Sequence, residues 1–402
     1  MLLPLFSLVC VLGAPCPLPA LPADSVGMSA ERLASVDHVM ERGVAAGGFP
    51  GAAVVIGRRD AIVLARGYGR LDWSPNSAPV SPSRTLYDLA SLTKVVATTA
   101  ALMVLYDEHR IALDAPVQRY LPQFAGGAKS RVTIRELLEH RSGLPAGRNL
   151  ARIARSPAAA RRLVLATALE REPGSAEVYS DVGMDVLGFL VEAVAHEPLD
   201  RFVRRRIFAP LAMSSTGYRP AAALRELAAP TEEHSARGHV LKGEVHDGDA
   251  WALGGVAGHA GLFSTATDLA RFAQMLLDGG KLGERRIIAD STVAIFTRRS
   301  SGWRALGWET CAGGASCGQR MSERAYGHTG FTGTSLWIDP DHGLYVIVLT
   351  NWMHERPDGL TPPIAILDDV RADVADIATV AADSDRAAPS EWRADRANGW
   401  RR

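Results

Sequence analysis

The stretch YDLASLTKVVATTAALMVLY, from Tyr87 to Tyr106, is apolar and Ala-rich from about Leu89 onward, as in a helix covered on most faces, yet it carries Ser91 and Lys94 near its start. An ammonium group is costly to bury without partners. With Ser91 in the first turn, its backbone N–H belongs to the unsatisfied donors of a helix start, where partial positive charge collects and an oxyanion is stabilised. Lys94, three residues on, shares that face and brings its amine within reach of the hydroxyl. Desolvation is expected to lower the lysine pKa and let it act as, or assist, a base for a serine nucleophile. Serine and lysine also fall at this spacing by chance, so the reading depends on what stands elsewhere in the chain.

Two further segments bear on it. EVYSDVGMD sets Tyr179 and Asp181 two residues apart in the bend before a helix. YGHTGFTGTSLWIDP sets His328, Thr329 and Gly330 immediately ahead of a β-run, with Gly330 expected to allow close backbone approach of a substrate.

Periodicity orders the rest of the chain. SAERLASVDHVMERGVAAG reads as a helix capped by Ser29, and GAAVVIGRRDAIVLARGYG as a hairpin split at GRRD. From about Ser91 to Asp290 the chain is mostly helical, and STATDLARFAQMLLDGG shows a capping-box-like Thr265 and Asp268 with a stop at Gly279 and Gly280. Strand character returns in TSLWIDPDHGLYVIVLTN, and a helix follows over roughly 363–381. Strands thus flank a helical block on both sides in sequence, which implies one sheet assembled from both chain ends, with the helical block as a second lobe.

In this order and at these separations, SLTK, YSD and HTG resemble the three motifs of the serine β-lactamase and penicillin-binding protein superfamily, S-x-x-K, Y-x-N or S-x-N, and K-T-G or H-x-G. The tyrosine of the second motif is similar to the class C β-lactamase branch, with its D-Ala-D-Ala carboxypeptidases, D-amino-acid peptidases and esterases. LLEHRSGLP and GGVAGHAGLFSTATDLARF match habits of that branch, and the resemblance spans about residues 28 to 380.

The resemblance implies an α+β, penicillin-recognising fold: an antiparallel sheet flanked by helices, an all-helical lobe over about 91–290, and the active site between them. It implies Ser91 as acylated nucleophile and Lys94 and Tyr179 as the proton-transfer pair. The backbone N–H groups of Ser91 and Phe331 become the oxyanion hole, and His328, with Thr329 and Gly330 beside it, faces the substrate carboxylate or assists proton traffic. Two departures stand out. Asp181 replaces the usual Asn, cannot donate a hydrogen bond when ionised, and is expected to pair with Lys94 and hold it protonated, leaving Tyr179 as base. His328 replaces a permanently charged Lys, which makes carboxylate attraction pH-dependent around about 6.5. The implied function is a serine hydrolase of D-Ala-D-Ala carboxypeptidase-like or β-lactamase-family type. The alternatives are an esterase on the same fold and a non-catalytic penicillin or peptidoglycan sensor.

Other residues take plainer readings. His140 fixes a turn, His259 sits in a Gly-rich cleft loop or caps a turn, and Trp251, Trp308 and Trp337 are core or cleft walls. The histidines lack metal-ligand spacing, so neither metal nor cofactor is expected. Acidic and basic residues balance at 44 each, which points away from nucleic acid. Residues 1–23 read as an export leader, hence a periplasmic or extracellular protein with membrane proximity only through that leader. A cytosolic protein with an apolar start is the alternative, because no Lys or Arg precedes the apolar run. Outside the leader only Cys311 and Cys317 remain, as a disulfide or as two free thiols. The catalytic domain is expected over 28–381 and a disordered tail over 382–402.

Overall fold

The computed structural model describes residues 18–233, 235–312 and 316–383; residues 1–17 of the expected leader, residues 384–402 of the expected tail and His234 lie outside them. Strands β1 (Gly51–Arg58) and β2 (Ala61–Gly69) form the hairpin the sequence predicts. They turn through Arg59 and Asp60, both at positive φ, the two-residue geometry whose twist suits the flanking strands. From the other end of the chain come β3 (Glu309–Thr310), β4 (Tyr326–Thr329), β5 (Ser335–Asp339) and β6 (Leu344–Thr350). Pairing of β1 with β6, from Ala52 opposite Thr350 to Arg58 opposite Leu344, joins the two sets. The result is one antiparallel sheet of order β2-β1-β6-β5-β4-β3, built from both chain ends as the sequence implies.

Both β1 and β6 are buried along their whole length because helices cover both faces of the sheet. Val54, Ile56, Val346 and Val348 belong to the core shared with α1 (Ser35–Ala45) and α5 (Ile364–Ala382). Their neighbours Ala53, Val55, Ile347 and Leu349 belong to the core on the opposite face, with α4 (Ala266–Leu277). Removing one such branched side chain from water contributes about 1.5–3 kcal/mol. The central strands therefore form a rigid base for the short strand β4 that carries the third motif.

Between the two halves of the sheet lies the helical block. Thr133 completes a capping box with Glu136, and Ser180 caps α3 (Asp181–Ala195) by accepting from Gly183 N. Thr265 caps α4 by accepting from Asp268 N at 3.2 Å, but Asp268 does not reciprocate. Its carboxylate instead accepts from Ser215 N at 2.8 Å and Thr216 Oγ1 at 2.9 Å. The strands Tyr87–Asp88, Leu262–Ser264 and Gly217–Tyr218 form a small sheet within this block, too short for periodicity to reveal. It anchors the chain just ahead of Ser91.

Candidate active site

The approach to Ser91 is fixed residue by residue. Leu89 N donates to the Leu262 carbonyl and Ala90 N to Asp88 Oδ1, each at 2.9 Å. Ala90 then takes φ 45°, a left-handed conformation unusual for a residue with a Cβ. This turn sets Ser91 at the head of the helix. Lys94–Thr99 follows as a π-helical segment, a form frequent at functional sites, and continues as α2 (Ala100–Asp107).

Lys94 is 0% exposed, and its ammonium has three acceptors for its three protons. They are Ser91 Oγ at 2.9 Å, Asp181 Oδ1 at 2.7 Å and the His259 carbonyl at 3.4 Å. Burial pushes the lysine pKa down, as the sequence predicts, but the charges and hydrogen bonds of Tyr179 and Asp181 outweigh it and leave the group raised. The expected lowering is thereby corrected. Burial likewise opposes the charge on Asp181, yet Lys94 and His259 hold that carboxyl below its ordinary range. The pairing of Asp181 with Lys94 is present as expected, and the lysine is a fully partnered cation at neutral pH.

The bend carrying Tyr179 and Asp181 is bolted to the loop after His140. Val178 N donates to the His140 carbonyl at 2.8 Å, Ser180 N to His140 Nδ1 at 3.0 Å, and Asp181 N to the Ala146 carbonyl at 2.8 Å. His140 thus fixes a turn, with its own φ at 55°, and its ring packs 4.7 Å from that of Tyr179. Burial, reinforced by Arg304, Lys94 and His328, keeps it neutral. The Tyr179 ring lies 4.7 Å from Lys94 Nζ and 5.3 Å from the Arg304 guanidinium carbon, between two cations.

His259 lies in the Gly-rich loop ahead of Leu262–Ser264 as expected, but it is buried and ion-paired rather than capping a turn. Its Nδ1 meets Asp185 Oδ1 at 2.8 Å and its Nε2 meets Asp247 Oδ1 at 2.9 Å. Burial opposes its charge, but Asp185, Asp247 and Asp181 raise its pKa well above the ordinary value, so the ring is an imidazolium. Its backbone carbonyl is the one that receives Lys94. Asp185 was legible as the i+4 neighbour of Asp181 on α3; Asp247 gave no signal in sequence.

Across the cleft, the loop after β4 is tied to the chain before Ser91. Thr332 Oγ1 donates to the Asp88 carbonyl at 2.7 Å and Thr334 Oγ1 to the Leu89 carbonyl at 3.0 Å. This brings Phe331 to the mouth of the cleft. Among the described residues, neither the Ser91 nor the Phe331 N–H donates to a protein acceptor. A Cβ on Gly330 would collide with Thr334 Oγ1 and the Leu89 carbonyl, so the glycine serves this internal seam rather than substrate approach. His328 is buried, with Nδ1 at 2.6 Å from the Thr329 carbonyl, which places the proton on Nδ1. Burial lowers its pKa, which corrects the expected titration near 6.5 and makes it neutral at pH 7.

Ser91, Tyr179, His328, Thr329, Gly330 and Phe331 line one cleft of about 520 Å³, with Lys94 and Asp181 beneath Ser91. Sequence reasoning missed four further polar residues of this cleft: Arg304, Glu309, Asp368 and Arg371. An i, i+3 Asp-Arg pair on the last helix was the one available hint. Trp308 and Trp337 are buried as expected, whereas Trp251 is exposed under the Arg237 guanidinium. Cys311 and Cys317 form a disulfide.

A family model described as Beta-lactamase matches residues 36–371. Proteins from Salmonella agona and Salmonella typhimurium named "Putative D-alanyl-D-alanine carboxypeptidase" are 35% identical over 370 residues, covering 82% of this chain and 85% of theirs. A penicillin-binding protein homolog from Caulobacter crescentus superposes with TM-score 0.71 at 21% identity, over 88% of this chain and 99% of that one. A family VIII carboxylesterase superposes with TM-score 0.69 at 20% identity, over 88% and 99%.

Proposed function

We propose that this chain, which belongs to the Beta-lactamase family, is a serine hydrolase that acylates Ser91 and acts as a D-Ala-D-Ala carboxypeptidase-like peptidase. The observation that carries the reading is Lys94 Nζ at 2.9 Å from Ser91 Oγ and 2.7 Å from Asp181. A cation so placed polarises the hydroxyl but has no lone pair to take its proton, so Tyr179, held beside it, is the base. In acylation the Ser91 Oγ–carbonyl bond forms, the proton passes to Tyr179 acting as its phenolate, and the oxyanion is met by the N–H groups of Ser91 and Phe331. Tyr179 then returns the proton to the leaving amine as the C–N bond breaks. A water, deprotonated by Tyr179, releases the acyl group and restores Ser91.

One observation favours an esterase as second reading. Asp181, committed to Lys94, offers no N–H to an acyl-amide carbonyl, and esters need less of that recognition. The disulfide between Cys311 and Cys317 supports export to an oxidising compartment, periplasmic or extracellular.

Intact-protein mass spectrometry after brief exposure to benzylpenicillin, alongside hydrolysis of a D-Ala-D-Ala peptide and p-nitrophenyl butyrate, tests the reading. An adduct on Ser91 with peptide cleavage, both lost in Ser91→Ala, is the expected result. Turnover retained in Ser91→Ala overturns the nucleophile; ester turnover without adduct or peptide cleavage moves the protein to the second reading.

A further inference from the structure

Asp88 is a buried acid that takes no part in the proton transfers above. It ends the short strand Tyr87–Asp88, sits opposite Phe263 in the small sheet and is 1% exposed. Among the described residues no Lys, Arg or His forms an ion pair with it. Its carboxylate accepts instead from two backbone donors, Ala90 N at 2.9 Å on Oδ1 and His246 N at 2.7 Å on Oδ2. Burial leaves its pKa raised against the pull of those N–H groups, the sign of an acid held at a cost. A buried polar network kept on such terms rigidifies the backbone it binds.

Each of its contacts ends beside an N–H of the oxyanion hole. The Oδ1 bond closes the turn in which Ala90 takes φ 45°, and the next N–H along the chain is that of Ser91. The Asp88 carbonyl accepts from Thr332 Oγ1 at 2.7 Å, and the N–H just before Thr332 is that of Phe331. The Oδ2 bond holds His246, whose ring packs 5.9 Å from the Phe331 ring.

We infer that Asp88 is a positioning residue that sets the two donors of the oxyanion hole at the spacing one oxygen requires. The inference rests on the serine hydrolase reading above. The donors come from segments that Asp88 and Thr332 join across 244 residues of chain, so nothing local fixes the distance between them. Without the Oδ1 bond, Ala90 loses the partner that holds its left-handed turn, and a right-handed Ala90 would swing the Ser91 N–H off the hole. Without the Thr332 bond, the Phe331 N–H is free to shift with its loop. Bonds to an oxyanion count for most in the transition state, so the loss should fall on kcat rather than on KM.

The test compares Asp88→Asn, Thr332→Val and a control with wild type, on whichever of the D-Ala-D-Ala peptide and p-nitrophenyl butyrate wild type turns over. Asp88→Asn keeps the shape but turns an NH2 group toward one of the two backbone donors. Thr332→Val keeps the shape and removes the hydroxyl. The control is Asp339→Asn, at a second buried acid that accepts from a backbone donor, Ser322 N at 2.8 Å, in a turn outside the cleft. Prolonged fluorophosphonate labelling, read by mass spectrometry, counts competent nucleophiles, so kcat is expressed per labelled site. It should fall about 10- to 100-fold in Asp88→Asn and about 3- to 10-fold in Thr332→Val, with KM within about 3-fold of wild type. The inhibition constant of an alkylboronic acid, whose tetrahedral adduct places an oxygen in the hole, should rise in parallel. Thr332→Ser should recover both values, and Asp339→Asn should melt earlier yet keep both. Unchanged kcat per labelled site in Asp88→Asn, or an equal fall in Asp339→Asn, overturns this inference alone. Should Asp88→Asn not fold, unchanged kcat in Thr332→Val overturns it. Wild type that neither labels nor turns over either substrate overturns the serine hydrolase reading and this inference with it.

Discussion

The two walls of the cleft handle buried charge in opposite ways. On the helical side, Lys94 and His259 are cations, and Asp181, Asp185, Asp247 and two neighbouring oxygens occupy their donors. On the sheet side, Arg304 Nη1, His328 Nε2 and Arg371 Nε have no hydrogen-bond partner. The donors of these two cations are all met before any ligand arrives. The sheet wall keeps open valences, which is what recognition of a polar substrate requires. The same fold therefore separates a cluster of paired buried charges from a wall with unpaired buried nitrogens.

The sharpest way to break this contrast is to delete one histidine from each wall. His259→Ala strands Asp185, buried to 2% exposure, without its counter-charge and should cost about 3–5 kcal/mol in urea unfolding. His328→Gln removes one neutral hydrogen bond and should cost about 1 kcal/mol. Equal costs would erase the distinction.

A smaller effect is expected at the junction of the walls. Asp181→Asn restores an N–H donor toward the cleft and should raise the peptide-to-ester ratio of kcat/KM about 2- to 10-fold. An unchanged ratio would show that Asp181 does not disfavour amides.

The subtlest difference is in pH. Because the folded pKa of His259 is raised, its contribution to stability is fully present below the unfolded value of about 6.5 and is lost as pH rises through the folded value. The gap in urea midpoint between wild type and His259→Gln should accordingly narrow from pH 6 to pH 9. A gap that widened with pH would mean that the ring is buried neutral.

The closed wall was only half legible in the sequence. Ser91, Lys94 and Tyr179 stand in short local patterns, and the replacement of Asn by Asp at 181 was enough to foresee its ion pair. The direction of the Lys94 pKa was not, because local reasoning sees the cost of burial and misses the charges brought in by a bend 85 residues on. His259 looked unremarkable for the same reason: its partners lie on α3 and at Asp247, and only the tertiary fold brings them to one ring. Arg304 gave no signal because an arginine in a loop reads as solvated surface until packing buries it. The sheet was legible because β-rich apolar runs and the turn between them are local, whereas the three-stranded sheet before Ser91 consists of pairings too short to leave a period.

The seam between β1 and β6 also sets the order in which the molecule can come into being. Ala52 meets Thr350 across nearly 300 residues of intervening chain, so the central strand pair closes one of the longest loops available to the polypeptide. A ribosome must release almost the entire chain before that pair can form, and topologies dominated by such distant contacts fold slowly. Until then β1 and β2 have no sheet to join and the cleft has no second wall. A chain that stays open this long is one that can be threaded across a membrane before it folds, which is what the export proposed above would demand of it.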